Sequence, residues 1–462
     1  MKRTNLLIYP VALSILLMNP VAAWQVTLQG GDNNRLNWAN AVISDSEGNV
    51  IAGGYLYNRG TEEDFTVVKL DGKTGRELWQ VEINGTANGR DQVNAVTVDA
   101  KGDVIAAGWI LNLITSFDFA VVKLDGKTGE EIWHVEINGS ANREDGVNAL
   151  AVDPAGNIVA AGYIRNISTG YDFAVVKLDG NTGDELWRTE IDGTYPLSDD
   201  EAYAVAMDSQ GNVIAAGRTR NVGTLYDFAV VKLEGGTGKV LWRKDIDGGE
   251  RLSDWAGAVV IDREDNVIAA GVTWHTQTNE DFAVLKLDGN TGEEMWRAEL
   301  NGSADAVDMA RAVAVDRKGN VFAVGFVKNL VTEQDFVVVK LDGETGKALW
   351  HREFNGSSNS FDQAWNVAID SNGNVIAGGM LDNQGRSLDF AIVNLDGSSG
   401  EEIWYTEIDG AAHGPDWLQA MTLDPQGSVI AAGLLARVPS FREVSDSDFA
   451  VIKLNGKNGN DF

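Results

Sequence analysis

The sequence predicts an all-β chain, an eight-bladed β-propeller of four-stranded antiparallel blades, and three observations carry that expectation. The pair Asp-Phe recurs eight times, at Asp64, Asp118, Asp172, Asp227, Asp281, Asp335, Asp389 and Asp448, at a spacing of 54 residues apart from 55 once and 59 at the last step. A tryptophan follows each of the first seven phenylalanines by fourteen residues: Trp79, Trp133, Trp187, Trp242, Trp296, Trp350 and Trp404. Glycine numbers 52 against 7 prolines, the usage of a chain that turns tightly and often. Self-similarity at a fixed period of this length marks a repeat architecture, in which each unit buries its apolar faces against its neighbours.

The elements follow in chain order. Residues 1–23 read as a signal peptide: Lys2 and Arg3 are basic, Leu6 to Met18 is apolar, and Val21-Ala22-Ala23 supplies the small residues that a signal peptidase reads. The apolar stretch falls short of the roughly 20 residues that span a bilayer. The chain is therefore expected to be exported to the periplasm or beyond the cell, with no transmembrane span and with 24–462 forming one propeller domain.

Each repeat then reads as four strands. In the second, Val93 to Val98 leads through the turn Asp99-Ala-Lys-Gly102 to Val104 to Gly108. A longer connection follows, then Phe119 to Leu124, the turn Asp125-Gly-Lys-Thr-Gly129, and Glu131 to Ile137. These runs are rich in valine, isoleucine and aromatic residues and are punctuated by glycine, and nowhere is a helical period sustained. An eighth tryptophan would fall one residue past Phe462, whereas Trp24-Gln-Val-Thr-Leu matches Trp79-Gln-Val-Glu-Ile. The N-terminal strand Trp24 to Leu28 is thus expected to complete the last blade. Trp24 joins the other seven tryptophans as an inter-blade core residue.

Units such as DGVNALAVDPAGNIVAAG, continued by YDFAVVKLDGNTGDELW, resemble the bacterial β-propeller repeats of exported proteins. The segment LDGKTGRELW is similar to the tryptophan-docking repeat of the PQQ-like quinoprotein dehydrogenases and of the related outer-membrane assembly lipoproteins. The resemblance covers all eight units and implies the scaffold, with the tryptophans holding neighbouring blades together. It implies no particular chemistry, because these families share a fold and not an activity.

Charge and composition narrow the function. The formal charge is −31, the wrong sign for a phosphate backbone or an anionic membrane surface. Cysteine is absent, which removes disulfides, thiolate metal sites, a cysteine nucleophile and a lipidated N-terminal cysteine. It also removes the vicinal cysteine pair common in the quinoprotein alcohol dehydrogenases. Neither a nucleophile elbow nor a phosphate loop is present, and the four histidines form no metal-spaced pair.

Three residue series could carry function. The turn aspartates Asp45, Asp99, Asp153, Asp208, Asp262, Asp316, Asp370 and Asp424 suit turn capping better than calcium, since their loops are too short to supply six oxygen ligands. Eight residues earlier stand Asn37, Asp91, Asp145, Asp200, Asp254, Asp308, Asp362 and Asp416. These open the first strand of each blade and are expected to ring one mouth of the propeller. They either bond backbone amides or form an acidic collar for a metal ion, calcium among the possibilities. Departures from the repeat are the third series: Arg311, Trp365, Trp255, Trp274 and His275, the last at a position that is asparagine in six other blades. The reading that results is a non-enzymatic, exported propeller without a cofactor, binding a protein or polysaccharide through its loop-rich face. A PQQ-dependent dehydrogenase and a purely structural envelope protein are the alternatives.

Overall fold

The computed structural model describes residues 24–32, 35–249, 252–384, 387–438 and 446–460; the signal-peptide segment lies outside them. It is an eight-bladed β-propeller. Each of eight sheets has four antiparallel strands, in chain order in blades 1 to 7. The sheet of blade 3 adds the short parallel strand Ser198–Asp199, and the described residues contain no helix. Blade 3 serves as the pattern: Gly146–Val152, Ile158–Asn166, Gly170–Leu178 and Glu185–Ile191. The chain resolves into two compact units. One holds blades 7, 8 and 1 with part of blade 2, and the other holds blades 3 to 6 with the rest of it.

The two middle strands of each blade are apolar at consecutive positions because neighbouring blades cover both of their faces. Within the second unit, Val159, Phe173, Val175 and Trp187 of blade 3 pack on Ala202, Val213, Ala229 and Val231 of blade 4. The same layer repeats between blades 4 and 5 and between blades 5 and 6. All eight Asp-Phe phenylalanines are at most 1% exposed. The first strand carries a bulge near its start, between Val147 and Ala149 in blade 3. There its backbone comes so close to the second strand that a Cβ on Gly162 would lie 2.0 Å from the Gly146 carbonyl oxygen, which only glycine permits.

The N-terminal strand Trp24–Leu28 pairs antiparallel with Ser447–Leu454, from Trp24 opposite Lys453 to Leu28 opposite Phe449, and completes blade 8 as expected. It also ties blade 8 to blade 1. The Trp24 indole Nε1 donates to the Gly72 carbonyl at 3.2 Å, and the indole lies against Gly75.

One expectation is corrected. Blade 8 keeps a longer connection, from Ala436 to Ser447, but in blades 1 to 7 the second and third strands are not joined by a long one. They continue to Asn112 and from Ser116 in blade 2, and the hairpin closes in three residues. The residue after the loop takes a left-handed φ, as at Ser116 (69°) and Leu225 (71°), which is the three-residue hairpin geometry. The sequence hides this because Asn112 and the residues after it lack the valine-isoleucine pattern of the strand they prolong.

Candidate functional site

The two ends of a blade are built from different chemistry. At the turn end, Asp153 Oδ1 accepts from the Asn157 amide at 2.8 Å, while Oδ2 pairs with Lys177 Nζ at 2.8 Å. The same ammonium donates to the Gly235 carbonyl of blade 4 at 2.7 Å. Trp187 Nε1 donates to that carbonyl at 3.1 Å. Equivalent lysine–aspartate pairs join Lys69 to Asp45, Lys123 to Asp99, Lys232 to Asp208, Lys286 to Asp262 and Lys453 to Asp424. Burial pushes Asp153 up, but the lysine and the Asn157 donors outweigh it and hold the carboxyl below its ordinary value. The turn aspartates are therefore blade-to-blade fasteners. Of the eight docking tryptophans, Trp24, Trp79, Trp133, Trp187, Trp242, Trp296 and Trp404 are at most 9% exposed, and Trp350 is half-buried.

The collar series is not an exposed mouth. Asp91, Asp145, Asp200, Asp254, Asp308, Asp362 and Asp416 are each fully buried. Their carboxylates turn inward to satisfy backbone amides. Asp145 accepts from Gly139 N at 2.8 Å and from Arg165 N, and Asp91 accepts from Gly85 N at 2.8 Å and Leu111 N at 2.6 Å. Each thus splices the loop between blades to its own second strand. Burial, reinforced by a neighbouring Asp-Phe carboxylate, raises Asp145 and Asp308 to about 7, and burial raises Asp200 and Asp254 to about 6.

The five departures fall on four strands. Trp255 opens blade 5 and meets Tyr203 of blade 4 edge to face, ring centroids 5.9 Å apart. Trp274 and His275 end the second strand of blade 5. There the His275 imidazole lies 3.2 Å from Glu299 and 3.9 Å from Asp281, spanning two carboxylates that asparagine bridges elsewhere. Arg311, on the first strand of blade 6, is half-buried with its guanidinium 5.9 Å from the Phe326 ring, and burial lowers it to about 10. Trp365 is half-buried on the first strand of blade 7. His275 thereby joins a group with Asp281 and Glu299, and Trp255, through Tyr203 and the Arg218 guanidinium 5.8 Å over it, joins a larger cluster.

That cluster lies at the hairpin ends of blades 3 and 4, and the sequence reading missed it. Arg165 faces Tyr171 across one hairpin, and Arg220 faces Tyr226 across the next, in the same register. The Arg165 guanidinium stacks 4.5 Å over Tyr171 and pairs with Glu144 at 2.7 Å, and Tyr163 meets Tyr171 at 5.5 Å. One repeat on, Arg218 lies 4.5 Å over Tyr226 and pairs with Glu201 at 2.9 Å. Arg220 lies 4.1 Å over Tyr195. Burial and Glu144 push Tyr171 up to about 12, so it stays a hydrogen-bond donor at neutral pH. The tips of these two hairpins carry bare apolar side chains, Ile167 at 73% and Val222 at 66% exposed, and Leu330 and Val331 are likewise bare at the tip of the blade 6 hairpin. The signal was in the sequence, in arginine and tyrosine at matched positions of consecutive repeats. It sits on the second and third strands, outside the first-strand series.

Comparison with known proteins bears on this arrangement. The family model of the outer membrane protein assembly factor BamB matches residues 23–221, 114–280 and 226–438. No curated protein matches the chain. Among solved structures, a quinohemoprotein alcohol dehydrogenase from Pseudomonas putida HK5 aligns over 94% of this chain and 75% of its own, at 13% identity and a TM-score of 0.60. Sqt1 from Saccharomyces cerevisiae aligns over 91% and 98%, at 9% identity and 0.55. BamB from Moraxella catarrhalis aligns over 92% and 100%, at 13% identity and 0.48. At such identities the likeness is one of fold.

Proposed function

The chain belongs to the family of the outer membrane protein assembly factor BamB, and from that premise we propose that it is an exported, non-enzymatic propeller that binds a protein partner. The partner seats on the hairpin ends of blades 3 and 4. The observation that carries this is the Arg-Tyr-Trp cluster bordered by bare apolar tips. Tyrosine, tryptophan and arginine are the residues that concentrate binding energy at protein interfaces, because each offers a large rigid face with a polar end. Here the guanidinium–ring stacks hold them in place before any partner arrives, so little side-chain entropy remains to be lost. A single apolar side chain on a surface needs no explanation, but Ile167 and Val222, at the same position of consecutive hairpins, fit a docking rim. A polysaccharide would stack on the rings yet would leave Ile167 and Val222 in water.

The test is affinity capture from the native envelope, with the footprint mapped by hydrogen exchange. Protection should fall on Tyr163 to Tyr171 and Arg218 to Tyr226, and Arg220→Ala with Tyr226→Ala should abolish capture. Protection confined to the turn end, or capture of glycan alone, would overturn the reading. For export, mass spectrometry of the mature protein should find Trp24 as its first residue.

A further inference from the structure

The loop that leads into blade 4 departs from its counterparts. Asp192 to Asp200 is one residue longer than Asn84 to Asp91, Asn138 to Asp145 or Asn301 to Asp308, and it carries the segment Thr194-Tyr195-Pro196-Leu197. At one side, Thr194 Oγ1 donates to Asn221 Oδ1 and accepts from the Val222 amide, both at 2.9 Å, which ties the loop to the hairpin tip of blade 4. At the other, Ser198–Asp199 pairs parallel with Gly170 and Tyr171 of blade 3. The loop thus bridges the two hairpin ends.

Two features here cost free energy that nothing inside the chain offsets. The first is Leu197, whose φ of 53° lies in the left-handed region. Three residues before the collar aspartate, other loops reach that region with Asn88, Asn142, Asp305, Asn359 and His413. Asparagine, aspartate and histidine visit it far more readily than a leucine does. The Leu197 side chain is 62% exposed, so burial does not compensate the strain. The second is Arg220. In blade 3 its counterpart Arg165 stacks on Tyr171 and pairs with Glu144. In blade 4 the place of Glu144 is taken by Asp199, shorter by one methylene, which accepts from the Tyr226 hydroxyl at 3.4 Å instead. Arg220 keeps its rings, Tyr195 at 4.1 Å and Tyr226 at 5.5 Å, but among the described residues its guanidinium meets no acceptor, and Nε is buried. In a chain of net charge −31, that is a cation held in place without an anion.

We propose that this place receives an acidic segment of the partner: a carboxylate on Arg220, with an aliphatic side chain close by in its sequence resting on Leu197 and Val222. The proposal rests on the reading that a protein seats at the hairpin ends of blades 3 and 4, and it names the chemistry by which that protein is recognised. A guanidinium gives a carboxylate two parallel N–H bonds, and the stacked rings fix the plane in which they point. Asp199 and Glu201 stand nearby, the latter on Arg218, so a singly charged carboxylate is accepted where a doubly charged phosphate meets stronger repulsion. Val222 lies two residues from Arg220, and Leu197 two from Tyr195, so apolar contact falls within a few residues of the carboxylate.

The experiment is a positional-scanning library of short peptides, acetylated and amidated at their ends, bound to residues 24–462, with the best sequence titrated by fluorescence polarisation. The wild type should select aspartate or glutamate with leucine, isoleucine or valine close by. Arg220→Gln should weaken the selected peptide about tenfold or more, and so should replacing the peptide's acidic residue by its amide. The two changes together should cost little more than either, as expected of groups that meet. Leu197→Asn, which installs the residue of three other loops, should raise the melting temperature and weaken the peptide several-fold. Circular dichroism checks that both variants fold. A library without acidic preference, or a selected peptide that binds Arg220→Gln as it binds the wild type, overturns the proposal. Unchanged binding in Leu197→Asn refutes the aliphatic contact and keeps the carboxylate. Envelope capture that protects the hairpin ends and survives Arg220→Gln keeps the protein-binding reading and refutes this one, whereas capture without protection there refutes both.

Discussion

The turn end of a blade and its hairpin end differ in how much of their chemistry the repeat dictates. At the turn end of blade 3, Asp153, Lys177, Trp187 and Gly183 are each engaged with the neighbouring blade or with the turn itself, and the same residue types recur around the propeller. At the hairpin end, Arg165 and Tyr171 occupy positions that are Tyr57 and Glu63 in blade 1 and Leu111 and Phe117 in blade 2. Both ends belong to the same strands. At the turn end side chains fasten the blades. At the hairpin end the collar aspartates and backbone bonds such as Asp200 N to the Tyr171 carbonyl do so, which releases the hairpin side chains to vary. A surface that varies on a rigid support is where binding evolves.

The sharpest way to break this contrast is to attack the fastening of the last blade. Deleting Trp24 to Leu28 removes a five-residue strand, the indole bond to Gly72 and the cover of a sheet edge. Such an edge invites association. Trp24→Ala alone, at a site 2% exposed, should cost about 3–5 kcal/mol in chemical denaturation. A deletion variant that stays monomeric and melts like the wild type would refute the fastening role.

A comparable loss is expected from Lys177→Met, about 3 kcal/mol, because it leaves the Asp153 carboxylate buried without its countercharge and strips the Gly235 carbonyl of one donor. Urea melts of Lys177→Met and of the double variant Lys177→Met with Asp153→Asn should differ, the double variant recovering part of the loss. Equal stability would mean that the pair is not coupled.

These two cases also mark how far the fold could be read in advance. The Asp-Phe period and the tryptophans fourteen residues on gave away every blade, since large buried aromatics tolerate little drift. The lysine before the last leucine of the third strand recurs in seven blades, with Asn394 in its place in blade 7, and carries no such signal. A charged residue in a strand reads as an exposed position until its aspartate partner, about 24 residues away, is seen to share its burial. The collar aspartates are legible as a series, and of the two roles their sequence leaves open they take the bonding of backbone amides. An acidic residue opening a strand suggests a rim, whereas these carboxylates are drawn inside by the amides of Gly139, Arg165 and their counterparts. The Arg-Tyr cluster was hidden because stacking across a hairpin depends on register, and the register only appears once the strands run on to the three-residue turn.

A smaller effect separates the ends by pH. Asp145 and Asp308 have pKa values raised to about 7 in the fold, against about 4 in an unfolded chain, so the folded protein holds their protons more tightly. Their favourable contribution is fully present below about pH 4 and is lost as the pH rises through 7. The turn aspartates Asp99, Asp153 and Asp208 are depressed. Their contribution is present above about pH 4 and disappears as the pH falls below it. Stability should therefore rise from pH 8 to about 5 and collapse under stronger acid. Asparagine is a tolerated substitute in the collar, for Asn37 already meets the Gly30 and Tyr57 amides through one oxygen. Asp145→Asn with Asp308→Asn should reduce the slope between pH 5 and 8, leaving the share of Asp200 and Asp254, which are raised to about 6, and leave the acid limb in place. A slope unchanged in that variant would assign it to other groups.

The smallest stability change, and the most informative about function, is expected at the hairpin tips. Ile167 and Val222 touch little of the protein, being 73% and 66% exposed, so serine in their place should move stability by no more than about 0.5 kcal/mol. If they seat a partner, the same substitutions remove apolar area that becomes buried only in the complex, and each should weaken binding several-fold. Arg220→Ala should cost tenfold or more, about 1.4 kcal/mol, because it takes away both a guanidinium and the stacking that orients Tyr195 and Tyr226. The contrast between the two ends then becomes a crossed pattern in two measurements. Turn-end variants lose stability and keep affinity in whatever protein stays folded, and tip variants keep stability and lose affinity. Tip variants that bind as the wild type does, with melting unchanged, would leave the exposed apolar side chains without a use and move the search for the partner's seat to another face.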